Sequence, residues 1–238
     1  MTYKNLQESF LKRLVQILGE RESLSTFWIV LFHVKKWTRI QFELNKSKLI
    51  NAHEDMLFSK ISDRLQAGEP IQYIVGNVEF YGNTHLVNPS VLIPRPETEE
   101  LVDWIVSDNK LKDQLKYLDI GTGSGCIINS LALNLNGTFY GVDVSEGAVS
   151  VAKENSTTLQ AKVSFEFMDI LKSKSSGEGF DIIVSNPPYI PVKDKTEMKK
   201  NVLDFEPELA LFVSDEDPLL FYKTILNYSF LNLNSGGV

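Results

Sequence analysis

A side-chain amide, two prolines and an aromatic ring stand in a row at Asn186-Pro187-Pro188-Tyr189. Such a set can grip a flat NH₂ group. The Asn186 side-chain oxygen accepts one N–H, the Pro187 carbonyl accepts the other, and the Tyr189 ring covers a face. The prolines fix their own φ angles, supply no N–H and hold Asn186 extended, so the loop is stiff. It follows Phe180–Val184, an apolar run that reads as a buried strand. A plainer reading competes, in which this is a proline-rich turn after a strand and Tyr189 is ordinary core.

A second group of residues bears on that choice. Gly121-Thr122-Gly123-Ser124-Gly125 lies between the strand-like Tyr117-Leu118-Asp119-Ile120 and a helical segment that starts at Cys126. Glycines let a backbone turn tightly and approach a ligand, and a helix start offers unpaired N–H groups. The loop is not a phosphate cradle, because no Gly-Lys-Ser/Thr follows. Nor is it the dinucleotide fingerprint, since the third glycine comes one residue early. Strand Thr138–Val142 ends in Asp143, about 20 residues on, where an acid can accept both ribose hydroxyls of a nucleoside. Asp169 closes the next strand, Val163–Phe167, and is placed to meet an adenine amine, with Met168 and Ile170 as apolar neighbours. Either acid alone reads better as a helix N-cap. The ordered series describes a nucleoside site built from Gly121, Thr122, Gly123, Ser124, Gly125, Asp143, Asp169, Ile170 and Asn186. With no phosphate cradle, S-adenosylmethionine fits best. Cys126 has no His or Asp arranged to activate it and reads as a small buried residue.

The elements that must position these groups follow from periodicity. Residues 4–68 read as helical: Leu6, Phe10, Leu14 and Ile17 recur at helical steps, followed by Phe27, Ile29–Phe32 and Trp37, then Ile50, Leu57, Ile61 and Leu65. Gly68-Glu69-Pro70 ends this bundle. Residues 71–93 are rich in β-type side chains punctuated by Gly76, Gly82 and Asn83, which predicts a hairpin. From about 97, helices (97–108, 124–134, 146–157, 218–231) alternate with strands (115–120, 138–143, 162–167, 180–185). That is the pattern of a mostly parallel sheet with helices on both faces and its ligand edge at the strand C-termini. Ser173–Gly179 reads as a short flexible loop. Asn234-Ser235-Gly236-Gly237-Val238 reads as a turn and the first residue of a strand, so a chain truncated before its last strands is expected.

Composition bounds the rest. The chain has 238 residues, 43% hydrophobic and 23% charged, which is ordinary for a globular protein. No apolar run is long enough to span a bilayer, and no signal-peptide pattern opens the chain. One cysteine excludes an internal disulfide framework and fits a reducing cytoplasm. His33, His53 and His85 lie far apart, so no metal site is expected. Residues 1–70 hold 11 Lys+Arg against 8 Asp+Glu, and the remainder 13 against 23. The catalytic-looking part therefore has no basic stripe for a polyanion. No strong dimer signal is present, and a monomer is expected.

With these residues placed, the chain resembles the release-factor glutamine methyltransferase family, also called HemK or PrmC. Gly68–Gly76 (GEPIQYIVG) is similar to the family's linker motif, and Val91–Glu99 (VLIPRPETE) to the signature that opens its catalytic domain. Asp119–Gly125, Asp143, Asp169 and Asn186–Tyr189 match its cofactor and substrate motifs. Phe205-Glu206-Pro207, Ala210-Leu211 and Phe221-Tyr222 match later landmarks. Residues 1–67 match only loosely, and Asp217-Pro218 stands where the family usually has a glycine.

The resemblance implies an α/β fold: a Rossmann-like class I methyltransferase domain at 94–238, preceded by a helical substrate-recognition domain at 1–70 and a β-hairpin linker at 71–93. It implies methyl transfer from S-adenosylmethionine to the glutamine side-chain nitrogen of a Gly-Gly-Gln motif in peptide chain release factors. Asn186 and Pro187 would orient the amide, Tyr189 would pack on its plane, and Pro188 and Arg95 would border the substrate. Arg95–Thr98 also has a helix-capping reading. No residue is an obvious strong base, and proton loss is expected to follow methyl transfer.

Two other functions fit part of the pattern. An adenine-amine methyltransferase acting on nucleic acid also uses an Asn-Pro-Pro-Tyr loop, but the acidic catalytic part lacks a basic recognition region. A non-catalytic nucleoside- or protein-binding module would have no use for an intact amide-gripping loop beside an intact glycine loop.

Overall fold

A computed structural model describes residues 1–173 and 179–238. They form two compact units, Met1–Val75 and Gly76–Val238. The loop expected across Ser173–Gly179 lies mostly outside the described residues.

The first unit is helical: α1 (Tyr3–Leu18), α2 (Glu20–Lys35), α3 (Arg39–Asn45), α4 (Ala52–Gln66) and the short α5 (Ile71–Val75). Three of these helices begin with reciprocal capping boxes, Thr2 with Asn5, Thr38 with Gln41 and Asn51 with Glu54. In each, a side-chain oxygen satisfies an orphan N–H of the first turn. Leu6, Phe10 and Leu14 recur every four residues on α1 and meet Phe27, Leu31, Phe42, Phe58 and Leu65 in one buried cluster. Phe27 is its centre, with ring centroids 5.5 Å from both Phe10 and Phe42. Ile17, expected on the same stripe, is 52% exposed, and Phe58 rather than Leu57 faces the core of α4.

The expected 71–93 hairpin is shorter than its β-type residues imply. Ile71–Val75 is helical, because the Tyr73 and Ile74 N–H groups donate back to Pro70 O and Ile74 packs in the helical core. Burial in a helical environment overrides β propensity here. The hairpin itself is β1 (Asn77–Phe80) and β2 (Asn83–Leu86), turned by Tyr81 and Gly82 at φ 47° and 72°.

The second unit continues through α6 (Glu97–Asn109), β3 (Leu115–Ile120), α7 (Cys126–Asn134), β4 (Gly137–Asp143), α8 (Glu146–Leu159), β5 (Val163–Phe167) and β6 (Ile182–Ser185). An excursion follows, with β7 (Ile190–Pro191), a 3₁₀ turn (Val192–Glu197), α9 (Lys200–Phe205), α10 (Glu208–Leu211) and β8 (Phe212–Val213), before α11 (Leu220–Asn232). The four central strands are all parallel, in the order β5-β4-β3-β6. Alternation along the strands divides the core. Tyr117, Phe139, Phe165 and Val184 pack with α6, α7 and α8, and the Tyr117 and Phe139 rings stack 4.8 Å apart. Leu118, Ile120 and Val142 face the other way, onto Tyr228 of α11 and Ile170. The sheet is thus covered on both faces, as the helix–strand alternation requires. Beside β6, Val238 N donates to Asp181 O and Ile183 N donates to Val238 O.

Truncating Phe27 removes a fully buried ring and leaves a cavity. Phe27→Ala should cost about 3–5 kcal/mol of the stability of the helical unit. Urea denaturation followed by circular dichroism and tryptophan emission checks this, since Trp28 lies against the lost ring.

Candidate active site

Because the four strands are parallel, their C-terminal ends share one edge. The register sets Ile120 beside Val142 and Ser185, and Asp143 beside Phe167. The residues just past these points are Gly121, Val144, Met168 and Asn186, and they border a single cavity of about 280 Å³. The Ser185 hydroxyl donates across to Ile120 O at 2.6 Å and fastens the end of β6 to β3 just before Asn186.

The glycine loop is held from below. Gly121 N and Thr122 N both donate to Val142 O at 2.9 Å. Gly121, Gly123 and Gly125 all adopt positive φ. At Gly125 a Cβ would also stand 2.9 Å from Asn129 Nδ2 and 3.1 Å from Ala152 Cβ, so no other residue fits the start of α7. Asn155 of α8 secures the loop from the side. Its Nδ2 donates to Ser124 O and to Leu86 O, while its Oδ1 accepts from Leu86 N at 2.6 Å. Cys126 is buried next to the loop, its thiol pushed up to about 12 chiefly by that burial, which fits packing rather than nucleophilic chemistry.

Asp143 receives Gly123 N and Ser145 N, each at 2.9 Å, one on each carboxylate oxygen. Burial pushes its carboxyl up, while the backbone N–H groups of Ser145, Gly123 and Val144 pull the other way. Each oxygen keeps a lone pair for a hydroxyl. Asp169 is paired differently. Lys172 Nζ lies 2.8 Å away and holds its carboxyl below the usual range, and Leu171 N donates to Oδ1.

The cavity brings together Arg95, Gly121, Thr122, Gly123, Ser124, Asp143, Asp169, Ile170, Asn186, Pro187 and Pro188. Gly125 and Tyr189 do not line it: Gly125 is turned into the helix start, and Tyr189 is 55% exposed beside the opening. Asn186 is exposed, Pro187 is buried, and no hydrogen bond engages the Asn186 amide among the described residues. Arg95 reaches the wall, but its guanidinium is already committed, with Nη2 2.7 Å from Glu206 Oε1. Glu206 and Asn155 are site-shaping residues that motif spacing did not single out, although Phe205-Glu206-Pro207 was visible as a landmark. Among the described residues no group of three or more His, Cys, Asp or Glu could hold a metal ion, and no helix is long and apolar enough to cross a membrane.

Asp119, the first residue of the Asp119–Gly125 motif, lies behind the glycine loop with no exposure. The Thr122 hydroxyl donates to its Oδ2 at 2.7 Å, while Oδ1 has no partner. Burial raises its pKa from 3.8 to about 7, and the Asp143 charge adds to the rise. A carboxyl raised in this way stabilises the fold as the neutral acid. Its contribution is full below the unfolded value and is lost as pH climbs towards the folded value. Asp119→Asn keeps an acceptor for Thr122 and cannot ionise. Its gain in melting temperature over the unaltered chain should grow between pH 4 and 7. Calorimetric melts across that range check this, and a constant difference would contradict it.

Two family models match the chain: "PrmC N-terminal domain" over residues 6–76 and "Methyltransferase domain" over residues 111–220. The release factor glutamine methyltransferase of Flavobacterium psychrophilum is 42% identical over 242 aligned residues, which cover 100% of this chain and 85% of that protein. The protein of the same name from Bacteroides thetaiotaomicron is 49% identical over 82% of this chain and 70% of its own length. That from Streptococcus pneumoniae is 40% identical over 94% of this chain and 79% of its own length. A parallel sheet whose C-terminal edge carries a glycine loop, an acid and an Asn-Pro-Pro-Tyr turn, matched at this identity over nearly the whole sequence, places the chain in the release factor glutamine methyltransferase family.

Proposed function

We propose that this chain transfers a methyl group from S-adenosylmethionine to the side-chain nitrogen of the glutamine in the Gly-Gly-Gln motif of peptide chain release factors. One observation carries the reading: the unengaged Asn186 amide and the Pro187 position border the same cavity as the glycine loop and Asp143. The names of the relatives support the substrate class.

The cavity's chemistry fits the cofactor. Ser124 Oγ is buried with no well-formed hydrogen bond among the described residues, the Asp143 carboxylate keeps acceptor capacity beyond its backbone bonds, and Val144, Met168, Ile170 and Ile225 supply apolar walls. The Gly121–Gly125 loop, Asp143, Asp169 and Ile170 would hold the nucleoside and amino-acid parts. When bound, the cofactor supplies an electrophilic methyl on a sulfonium.

The chain's own residues then act on the acceptor. An amide nitrogen is a weak nucleophile because its lone pair is delocalised. Asn186 Oδ1 and the Pro187 carbonyl would accept the two amide N–H bonds, fixing the plane of the group and the direction of the nitrogen. The loop is fixed by Pro187 and Pro188 and by the Ser185 bond to β3, so this orientation costs little further ordering. Tyr189, outside the wall and exposed, is free to pack on the amide plane as the acceptor enters. Apolar walls exclude water, which favours discharge of a cation. The helical unit would hold the rest of the release factor, which is a protein partner and not nucleic acid. A monomer acting in the cytoplasm satisfies this reading.

Asp143→Ala should weaken S-adenosylmethionine binding by about 1.5–3 kcal/mol, through loss of charged-acceptor hydrogen bonds. Calorimetric titration checks this, and unchanged affinity in a folded variant removes Asp143 from the site. Asn186→Ala should leave that affinity within about 3-fold and lower turnover by about 10²-fold, because only acceptor orientation is lost. Mass spectrometry of a purified release factor incubated with the chain should place the methyl group on the Gly-Gly-Gln glutamine. Duplex and single-stranded DNA serve as parallel acceptors, and label on adenine with none on glutamine would overturn the reading.

A further inference from the structure

We propose that Glu206 is a positioning residue for the acceptor side of the cavity. It locks Arg95 and the Ile93 backbone against the excursion between β6 and α11, and so fixes how these two wall segments sit around the Asn186 loop, where the glutamine would enter. This rests on the methyl-transfer reading for its substrate, but the lock itself stands on geometry.

Glu206 is an acid with a side chain only 2% exposed. Both its oxygens are spent on one short stretch of chain: Oε1 accepts from Arg95 Nη2 at 2.7 Å, and Oε2 accepts from Ile93 N at 3.3 Å. That stretch and the one bearing Glu206 are adjoining parts of the cavity wall, joined by these bonds. Leu92, Pro94 and Arg95 line the cavity from the first, and Pro207, Leu209 and Ala210 from the second. The Asn186–Pro188 loop completes the rim.

The excursion has little else to hold it. Between Ile190 and Val213 only Glu206, Leu211 and Val213 are buried, and α9 buries no residue. Among the described residues, further ties lie at its base, where Ile190 pairs with Phe212, and on its surface, where Lys195 meets Glu208 and the Phe212 ring and Lys193 N meets Asp215. None of these reaches the 91–98 segment. A segment without a core of its own takes its position from directional bonds. A buried ion pair is suited to that task, because an apolar pair of equal volume would hold the walls about as strongly but without direction. Arg95, 37% exposed, then presents its stem to the cavity with its charge turned to Glu206 and away from the entering amide.

The test compares Glu206→Gln, Arg95→Met and the double variant Arg95→Met/Glu206→Leu in the full chain. The readouts are S-adenosylmethionine affinity, melting temperature, and kcat and KM for a release factor. Glu206→Gln should lower kcat/KM for the release factor by about 10²-fold, with cofactor affinity within about 3-fold. Arg95→Met should lower the melting temperature, since it strands a buried carboxylate. The double variant should recover that temperature yet keep the kcat/KM defect. Recovery of both in the double variant would reduce the pair to a fold-stabilising role and overturn the proposal. Equal loss of cofactor affinity and acceptor kcat/KM would do the same. If the unaltered chain methylates no glutamine, the functional reading fails by itself, and amide hydrogen exchange in Glu206→Gln still decides the lock. Joint loss of protection at 91–98 and 205–211, with the sheet unchanged, supports it; unchanged protection there rejects it.

Discussion

The parallel pairing of β3 with β4 and β6 is the constraint from which the site follows. Parallel strands cannot be joined by tight turns, so the chain must cross back, from β3 to β4 through α7 and from β4 to β5 through α8, and every strand leaves the sheet at the same edge. The register of Ile120 with Val142 and Ser185 then decides which side chains meet. A slip of one residue would carry Asp143 and Asn186 to opposite faces and bury Leu118 or Tyr117 against the wrong helices. The apolar alternation of the strands, divided between α6–α8 and α11, is what forbids that slip.

At that edge the electrostatics are lopsided. The Asp143 charge adds to the burial that opposes ionisation of Asp119, and no cation among the described residues answers it. Among the described residues Thr122 supplies the one side-chain hydrogen bond its carboxyl receives, and that bond holds the second residue of the glycine loop. Asp169, by contrast, is compensated by Lys172 at the surface. Of these acids only Asp143 and Asp169 border the cavity, whose other walls are largely apolar.

Much of this was legible in the sequence, and the exceptions share a cause. The strand ends at Ile120, Asp143, Phe167 and Ser185 could be read because glycines, acids and prolines mark them, and the spacing fixed a helix between the first and second strands and between the second and third. Ile71–Val75 misled because β-branched residues next to a proline were counted by type, whereas packing on Phe10 and its neighbours chose the helix. Ile17 fell on the right helical period but beyond the reach of the bundle. The 190–213 excursion has no period, since its elements are shorter than a repeat, and the role of Glu206 depends on a partner more than a hundred residues away. Gly125 and Tyr189 belong to the right motifs, yet backbone direction, which composition does not encode, turns both off the wall.

Asn155 shows what one amide can replace. By taking Leu86 N and giving to Leu86 O, it offers the hairpin the two complementary groups that a neighbouring peptide unit would offer. Its second N–H extends the same arrangement to Ser124 O. The side chain therefore serves as a single rung of ladder where no strand runs, splicing the hairpin to the glycine loop through a helix. Such a rung tolerates no near-copy. Aspartate has the same outline but no donor, and would set oxygen against oxygen at both Leu86 and Ser124. The loop that faces the cavity is thus registered to a hairpin with which it shares no strand pairing.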